Sequence, residues 1–157
     1  MLFVCSCSLL RDALKLANLG GQRSTWPRKL ITLPADRVKN SRSHELPLSA
    51  QALAVIERQP RITDFVFGGK GFQGWAVAKS ALDQRAGIAS WRLHDLRRTA
   101  ATGMAELDVQ RHIIEAVLNH VSGHKGGVAG IYNRAKYADE MRTALQRWAD
   151  YLDKITA

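Results

Sequence analysis

"SWRLHDLRRTAATGMAELDV", residues 90–109, is the stretch on which the fold turns. Leu93, Leu96, Ala100 and Met104 recur at intervals of three and four, the spacing that lines one face of a helix. The stretch therefore predicts an amphipathic helix. That helix also carries His94 and Arg97, three positions apart. Positions i and i+3 share a helix face, so an imidazole and a guanidinium are presented side by side. Arginine binds phosphate through paired hydrogen bonds and never loses its charge. A histidine beside it can donate to another oxygen or move a proton. Standing alone, the pair would read as a solvated helix surface.

Outward from this helix the pattern stays mostly helical. A second helix is expected over about 109–118, with Ile113, Ile114, Val117 and Leu118 apolar. The glycine-rich loop "HVSGHKGGVAG", 120–130, leads into "IYNRA", 131–135. A last helix over about 138–155 carries Met141, Leu145, Trp148, Leu152 and Ile155, a single apolar stripe. Toward the N-terminus, "FQGWAVAKSALDQRAG", 72–87, reads as a helix stopped by Gly87. "DFVFGG", 64–69, reads as a brief strand. Ser49 suits the N-cap of "AQALAVIERQ", 50–59, whose Leu53 and Ile56 share a face. Two short strands, 29–33 and 43–47, flank a polar loop holding Asp36, Arg37, Lys39, Asn40, Ser41 and Arg42. Pro34 and Pro47 punctuate the strand ends. Residues 8–17 read as a short helix. The expected class is α+β, mostly α-helical, with a small antiparallel hairpin or three-stranded sheet.

The chain has 157 residues, enough for one domain with a real core. Its 23 Lys and Arg stand against 14 Asp and Glu, a net charge of +9. That excess favours a polyanionic partner, nucleic acid first and an anionic membrane surface second. Cys5 and Cys7 lack the rest of a zinc site, and residues two apart are poor disulfide partners. The opening "MLFVCSCSLL" is too short to span a bilayer and lacks the basic start of a signal peptide. These readings favour a cytoplasmic protein.

His94 and Arg97 do not stand alone. His120 follows the next helix, Tyr132 lies twelve residues later, and Lys39 sits between the two strands. In this order the parts resemble the catalytic domain of the tyrosine recombinases, the phage integrase family. "HDLRRTAATGMAE", 94–106, resembles the family's His-x-x-Arg box. "VLNHVSGH", 117–124, resembles its Leu-Gly-His box, with Asn119 in place of the glycine. "GIYNRA", 130–135, resembles the nucleophile segment, and "LITLPADRVKNSRSHELPLS", 30–49, the hairpin that carries a lysine. The likeness runs from about residue 28 to the C-terminus.

The resemblance implies chemistry on a DNA phosphodiester. The family breaks the strand by in-line attack of a tyrosine oxygen, forming a 3′-phosphotyrosyl link that conserves the bond energy. Charge gathers on the non-bridging oxygens, where fixed cations stabilise it. By this resemblance Tyr132 is the nucleophile, and Arg97 clamps the phosphate. Lys39 protonates the leaving 5′-oxygen, His94 assists acid–base transfer, and His120 donates to a phosphate oxygen. His124 is a rival for His120's role. The two histidines have i, i+4 spacing without further ligands, so zinc is not expected. Neither metal nor other cofactor is implied. Arg92, Arg98, Lys125, Arg37 and Arg42 are candidates for DNA-backbone contacts, as are Arg23, Arg28 and Lys29. The implied partner is double-stranded DNA, in the cytoplasm at the nucleoid. The C-terminal stripe either docks on its own core or, as the segment after the tyrosine often does in this family, packs on a neighbouring protomer of a tetramer.

The resemblance weakens at the N-terminus. The family has a second arginine in a Thr-Gly-x-Arg-x-x-Glu helix, where this chain reads "VCSCSLLRDALKLANLGG", 4–21. Arg11 is at about the right distance before Lys39, without the surrounding motif. The family's N-terminal DNA-clamping domain is also not seen. Read two nucleotides later, permissible codons for the stretch that opens with "LLRDALKL", 9–16, and runs on beyond it can encode Ala-Ala-Arg-Arg-Ala-Glu-Ile-Gly-Lys-Leu, close to the arginine box. Residues 1–27 are accordingly read as an atypical segment, hypothetically out of frame, and 28–157 as the catalytic domain. Such a chain is expected to be impaired in recombination while retaining weak, salt-sensitive DNA binding. The alternatives are a non-catalytic DNA-binding remnant and a topoisomerase of the same chemical class. A metal-dependent nuclease is disfavoured because no carboxylate cluster stands out in the sequence.

Overall fold

A computed structural model describes residues 29–38, 41, 43–60, 66, 74–88, 90–120 and 137–157. Among these the architecture is α+β and mostly helical: one antiparallel hairpin and five helices. Strands β1 (Leu30–Leu33) and β2 (His44–Pro47) pair in the register Ile31 opposite Leu46 and Leu33 opposite His44. Alternation fixes this register, because side chains two apart share a face. Ile31, Leu33 and Leu46 are buried, while Thr32 and Glu45 turn outward. A one-turn 3-10 helix, Ala35–Arg37, follows β1. Val38 is buried beside it. The third strand expected at 64–69 lies outside the described residues apart from Val66, which is buried. So does the helix expected at 8–17.

Helix α1 (Ala50–Glu57) begins where expected, with the Ser49 Oγ accepting from the Ala52 N–H at 3.2 Å. Helix α2 (Trp75–Ala86) ends at Gly87, whose φ of 64° is the left-handed conformation that glycine adopts without steric cost. It buries no residue fully. Lys79 ion-pairs with Asp83 at 2.6 Å and lies 4.1 Å over the Trp91 ring.

Helices α3 (Leu93–Glu106), α4 (Arg111–Val117) and α5 (Ala138–Thr156) form the core with the hairpin. Helix α3 starts with the Asp95 carboxylate accepting from the Arg92 N–H at 2.8 Å. It ends in a six-residue turn. Asp108 is left-handed (φ 57°), its N–H donates to the Ala105 carbonyl, and the Val109 N–H donates to Met104. That pattern closes a helix and sends the chain off in a new direction.

Helix α5 is the hub, touching β2, α1, α3 and α4. Met141, Ala144, Leu145, Trp148 and Ala149 are buried on it, packed among Leu46, Ala100, Met104, Ile113 and Val117. The apolar stripe therefore docks on the chain's own core through Met141, Leu145 and Trp148. Leu152 is half-buried and Ile155 is exposed. Because α5 contacts the hairpin and both helices of the His-x-x-Arg and histidine segments, it sets their mutual positions. Among the described residues no helix is long and apolar enough to cross a membrane.

Candidate active site

The centre of the candidate site is the junction of α3 with the end of α4. Val117 and Leu118 close α4, and the next residue, Asn119, has φ 49°. Its N–H donates to the Ala116 carbonyl at 3.0 Å, and the His120 N–H donates to Glu115 at 2.9 Å. Together these bonds form a left-handed helix cap that satisfies two of the last four carbonyls. Glycine and, at lower frequency, asparagine and aspartate adopt this backbone most readily. Asn119 thus fits a turn position where glycine would otherwise be favoured.

The carbonyl of Leu118 remains at the helix end, and the Arg97 Nη2 donates to it. A guanidinium at a helix C-terminus is also favoured by the negative end of the helix dipole. Arg97 is half-buried. Its planar head carries five N–H donors in a fixed fork, the geometry that suits an oxyanion. The contact joins two segments 21 residues apart and brings Arg97 to within two chain positions of His120. His120 is exposed, as is His94 on the first turn of α3.

The other expected site residues divide between described and undescribed segments. Tyr132, Lys39, Arg11, His124, Lys125 and Arg42 lie outside the described residues, as do Arg23 and Arg28. The backbone of Arg37 ends the 3-10 turn. Arg92 is exposed at the start of α3. Arg98 is exposed and pairs loosely with Asp95 at 3.8 Å. It lines an open groove of about 600 Å³ between α3 and the C-terminal half of α5, with Thr102, Glu106, Tyr151 and Ile155. Adjacent residues on a helix point about 100° apart, so Arg97 turns to α4 while Arg98 faces this groove.

Two features were not anticipated from the sequence. One is the Leu118 carbonyl, a backbone group without any residue-type signature. The other is Tyr137, which precedes α5 with φ 46° and meets the His112 ring edge-on, centroids 5.1 Å apart. That contact ties the start of α5 to α4.

A half-buried guanidinium seated on a helix-end carbonyl two chain positions before a histidine is an arrangement that can serve an anion such as a phosphate. The phage integrase family matches residues 9–138, and the chain belongs to that family. The integrase of Shigella phage Sf6 is 29% identical over 148 residues, covering 89% of this chain and 38% of that protein. Prophage integrase IntS of Escherichia coli K12 is 31% identical over 137 residues, covering 82% and 35%. Prophage integrase IntZ of the same strain is 33% identical over 159 residues, covering 95% and 39%. The chain thus spans less than two fifths of the length of these curated relatives. No solved structure matches it significantly.

Proposed function

We propose that this chain is the catalytic part of a DNA strand-breaking and rejoining enzyme acting in site-specific recombination. Arg97 holds the scissile phosphate and neutralises charge that builds on its non-bridging oxygens. The Tyr132 phenolic oxygen attacks phosphorus in line; a tyrosyl–phosphorus bond forms and the bond to the 5′-oxygen breaks. Lys39 gives that leaving oxygen its proton, and a 5′-hydroxyl attacking later reverses the step. His94 serves in proton transfer, accepting the phenolic proton as the tyrosyl–phosphorus bond forms, and His120 donates to a phosphate oxygen. Arg92, Arg98, Lys125, Arg37 and Arg42 contribute phosphate-backbone affinity without sequence information.

The observation that carries the reading is the bond from Arg97 to the Leu118 carbonyl. It couples the helix of one box to the turn of the other, as a shared phosphate ligand set requires. Arg11 is the candidate for the first arginine, but the atypical segment 1–27 around it lacks the family's motif, and this donor is proposed not to be supplied to the site. Removing one charged donor from such a site costs a few kcal/mol of transition-state stabilisation, about 100-fold or more in rate. The isolated chain is therefore proposed to cleave weakly and not to complete recombination alone. The DNA upstream of codon 28 tests the reading-frame hypothesis, which fails if the shifted frame encodes no arginine box. The exposed Ile155 end of α5 and its groove are proposed to meet a neighbouring protomer on DNA.

Incubation with a pool of nicked duplexes, randomised around the nick, tests the chemistry. A covalent protein–DNA adduct that Tyr132→Phe cannot form is the expected result. DNA binding without any adduct would favour a non-catalytic module. Relaxation of supercoiled DNA at no specific site would favour a topoisomerase.

A further inference from the structure

We propose that Asn119 is a positioning residue for Arg97, acting through the direction of the Leu118 carbonyl. The inference rests on the reading of Arg97 as a phosphate ligand. The Leu118 carbonyl belongs to the peptide unit that Leu118 shares with Asn119. Its direction is set by the ψ of Leu118 and the φ of Asn119, and that φ is 49°. The remaining bonds of the turn use other carbonyls: His120 donates to Glu115 and Asn119 to Ala116. The Leu118 carbonyl is thereby left at the helix end, where the Arg97 Nη2 meets it.

A guanidinium is a rigid planar fork. Seating one N–H on a carbonyl restricts where the other donors can point. Rotating the Leu118–Asn119 peptide would swing the fork, even with Arg97 itself unchanged. The same turn holds the His120 backbone N–H, so the guanidinium and the imidazole are placed by one backbone conformation. A residue with a branched Cβ resists the left-handed region, whereas glycine accepts it freely. The side chain at position 119 therefore matters for the backbone it permits.

The test reads phosphate contact through the salt dependence of DNA binding, which does not require the chain to be catalytically active. The full chain and its variants are titrated with a duplex at several salt concentrations. Arg97→Ala should reduce the slope of log affinity against log salt by about one, the signature of a lost phosphate contact. Asn119→Val should reproduce that reduction, and Asn119→Gly should restore the slope of the unaltered chain. Arg97→Ala combined with Asn119→Val should lose no more than either alone. Asn119→Ala serves as a milder replacement should the valine variant unfold, with circular dichroism reporting the fold. A folded Asn119→Val or Asn119→Ala that keeps the full slope overturns the proposal, because a purely structural turn would change melting temperature alone. An unchanged slope in Arg97→Ala would instead sink the phosphate reading of Arg97 on which the proposal stands.

Discussion

The Trp148 indole lies directly against Gly103: a Cβ built on Gly103 would sit 2.1 Å from Trp148 Cζ3 and 2.5 Å from Cη2. No methyl fits there, so the glycine lets α3 and α5 approach closely at the heart of the core. Glycine within a helix costs about 1 kcal/mol relative to alanine. Here that cost is outweighed, since forcing an extra carbon into a packed core costs about 1–3 kcal/mol. Gly103→Ala is expected to lower stability by about 1–2 kcal/mol despite its better helix propensity. Urea unfolding should show an earlier midpoint with an unchanged slope. In a Trp148→Leu background the same change should become neutral or stabilising.

The contact between Tyr137 and His112 holds the start of α5 to α4. Tyr137 has φ 46°, uncommon for a bulky residue, and its carbonyl accepts from the Met141 N–H at 2.8 Å. The ring contact helps offset the backbone cost. A double-mutant cycle with Tyr137→Ala and His112→Ala should give a coupling of about 0.5–1 kcal/mol, at the lower end for aromatic pairs because His112 is exposed. Tyr137→Phe should retain it. Tyr132 precedes this anchor by five residues, a reach of at most about 18 Å. Helix α4 has seven residues and a length of about 10 Å. Covalent geometry alone thus lets the proposed nucleophile span the helix from its anchored end to the Arg97 end.

Periodicity made most of this fold legible. Pro34 and Pro47 and the polar loop between them marked both strands, and Ser49 marked the start of α1. The helix expected from about 109 instead starts at Arg111, because the Val109 N–H is committed to closing α3. Such a cap depends on a left-handed Asp108, a conformation its residue type permits without announcing. The stripe on α5 was equally plain, but periodicity states only that a face is apolar and leaves its partner open. In the candidate site, side-chain type and spacing pointed to Arg97 and His94, and the family resemblance added His120. The Leu118 carbonyl had no such signal. Its one trace was Asn119 at a glycine-favouring position. Tyr132 and Lys39 rest on the sequence resemblance, since both lie outside the described residues.

A polar cluster ties α1 to α5 and should leave a mark on acid stability. The Gln51 Nε2 donates to Asp150 Oδ1 at 2.9 Å, and the Gln146 Nε2 donates to the same oxygen at 2.7 Å. Gln146 Oε1 also accepts from the Ala50 N–H at 2.9 Å, capping the first turn of α1. The Gln51 amide, and after it the Gln146 amide, hold the Asp150 carboxyl below its ordinary pKa. A lowered folded pKa means stability is fully present above the unfolded value, about 3.9, and is lost as pH falls through the lower folded value. Gln51→Ala should therefore flatten the acid limb of the stability–pH curve below about pH 4. The effect should be small, because Asp150 is exposed and solvent screens it. Equal loss of stability at pH 3 and pH 7 would contradict this account.

Arg97→Lys separates charge from geometry at the candidate site. Lysine keeps the positive charge but offers a compact ammonium in place of a planar fork. The native guanidinium meets the Leu118 carbonyl with one N–H, and its donors are held in one rigid plane. An ammonium that moves to the phosphate leaves the carbonyl, and one that stays at the carbonyl presents no fixed second edge. Lysine should therefore preserve much of the equilibrium DNA affinity, where charge dominates. It should slow covalent adduct formation by about 100-fold, the usual scale for losing one oriented donor to a transition state. Parallel measurement of duplex affinity and adduct rate on the nicked pool decides the matter. An adduct rate reduced only as much as affinity would mean that Arg97 acts as a point charge and that its seat on the Leu118 carbonyl contributes nothing to the chemistry.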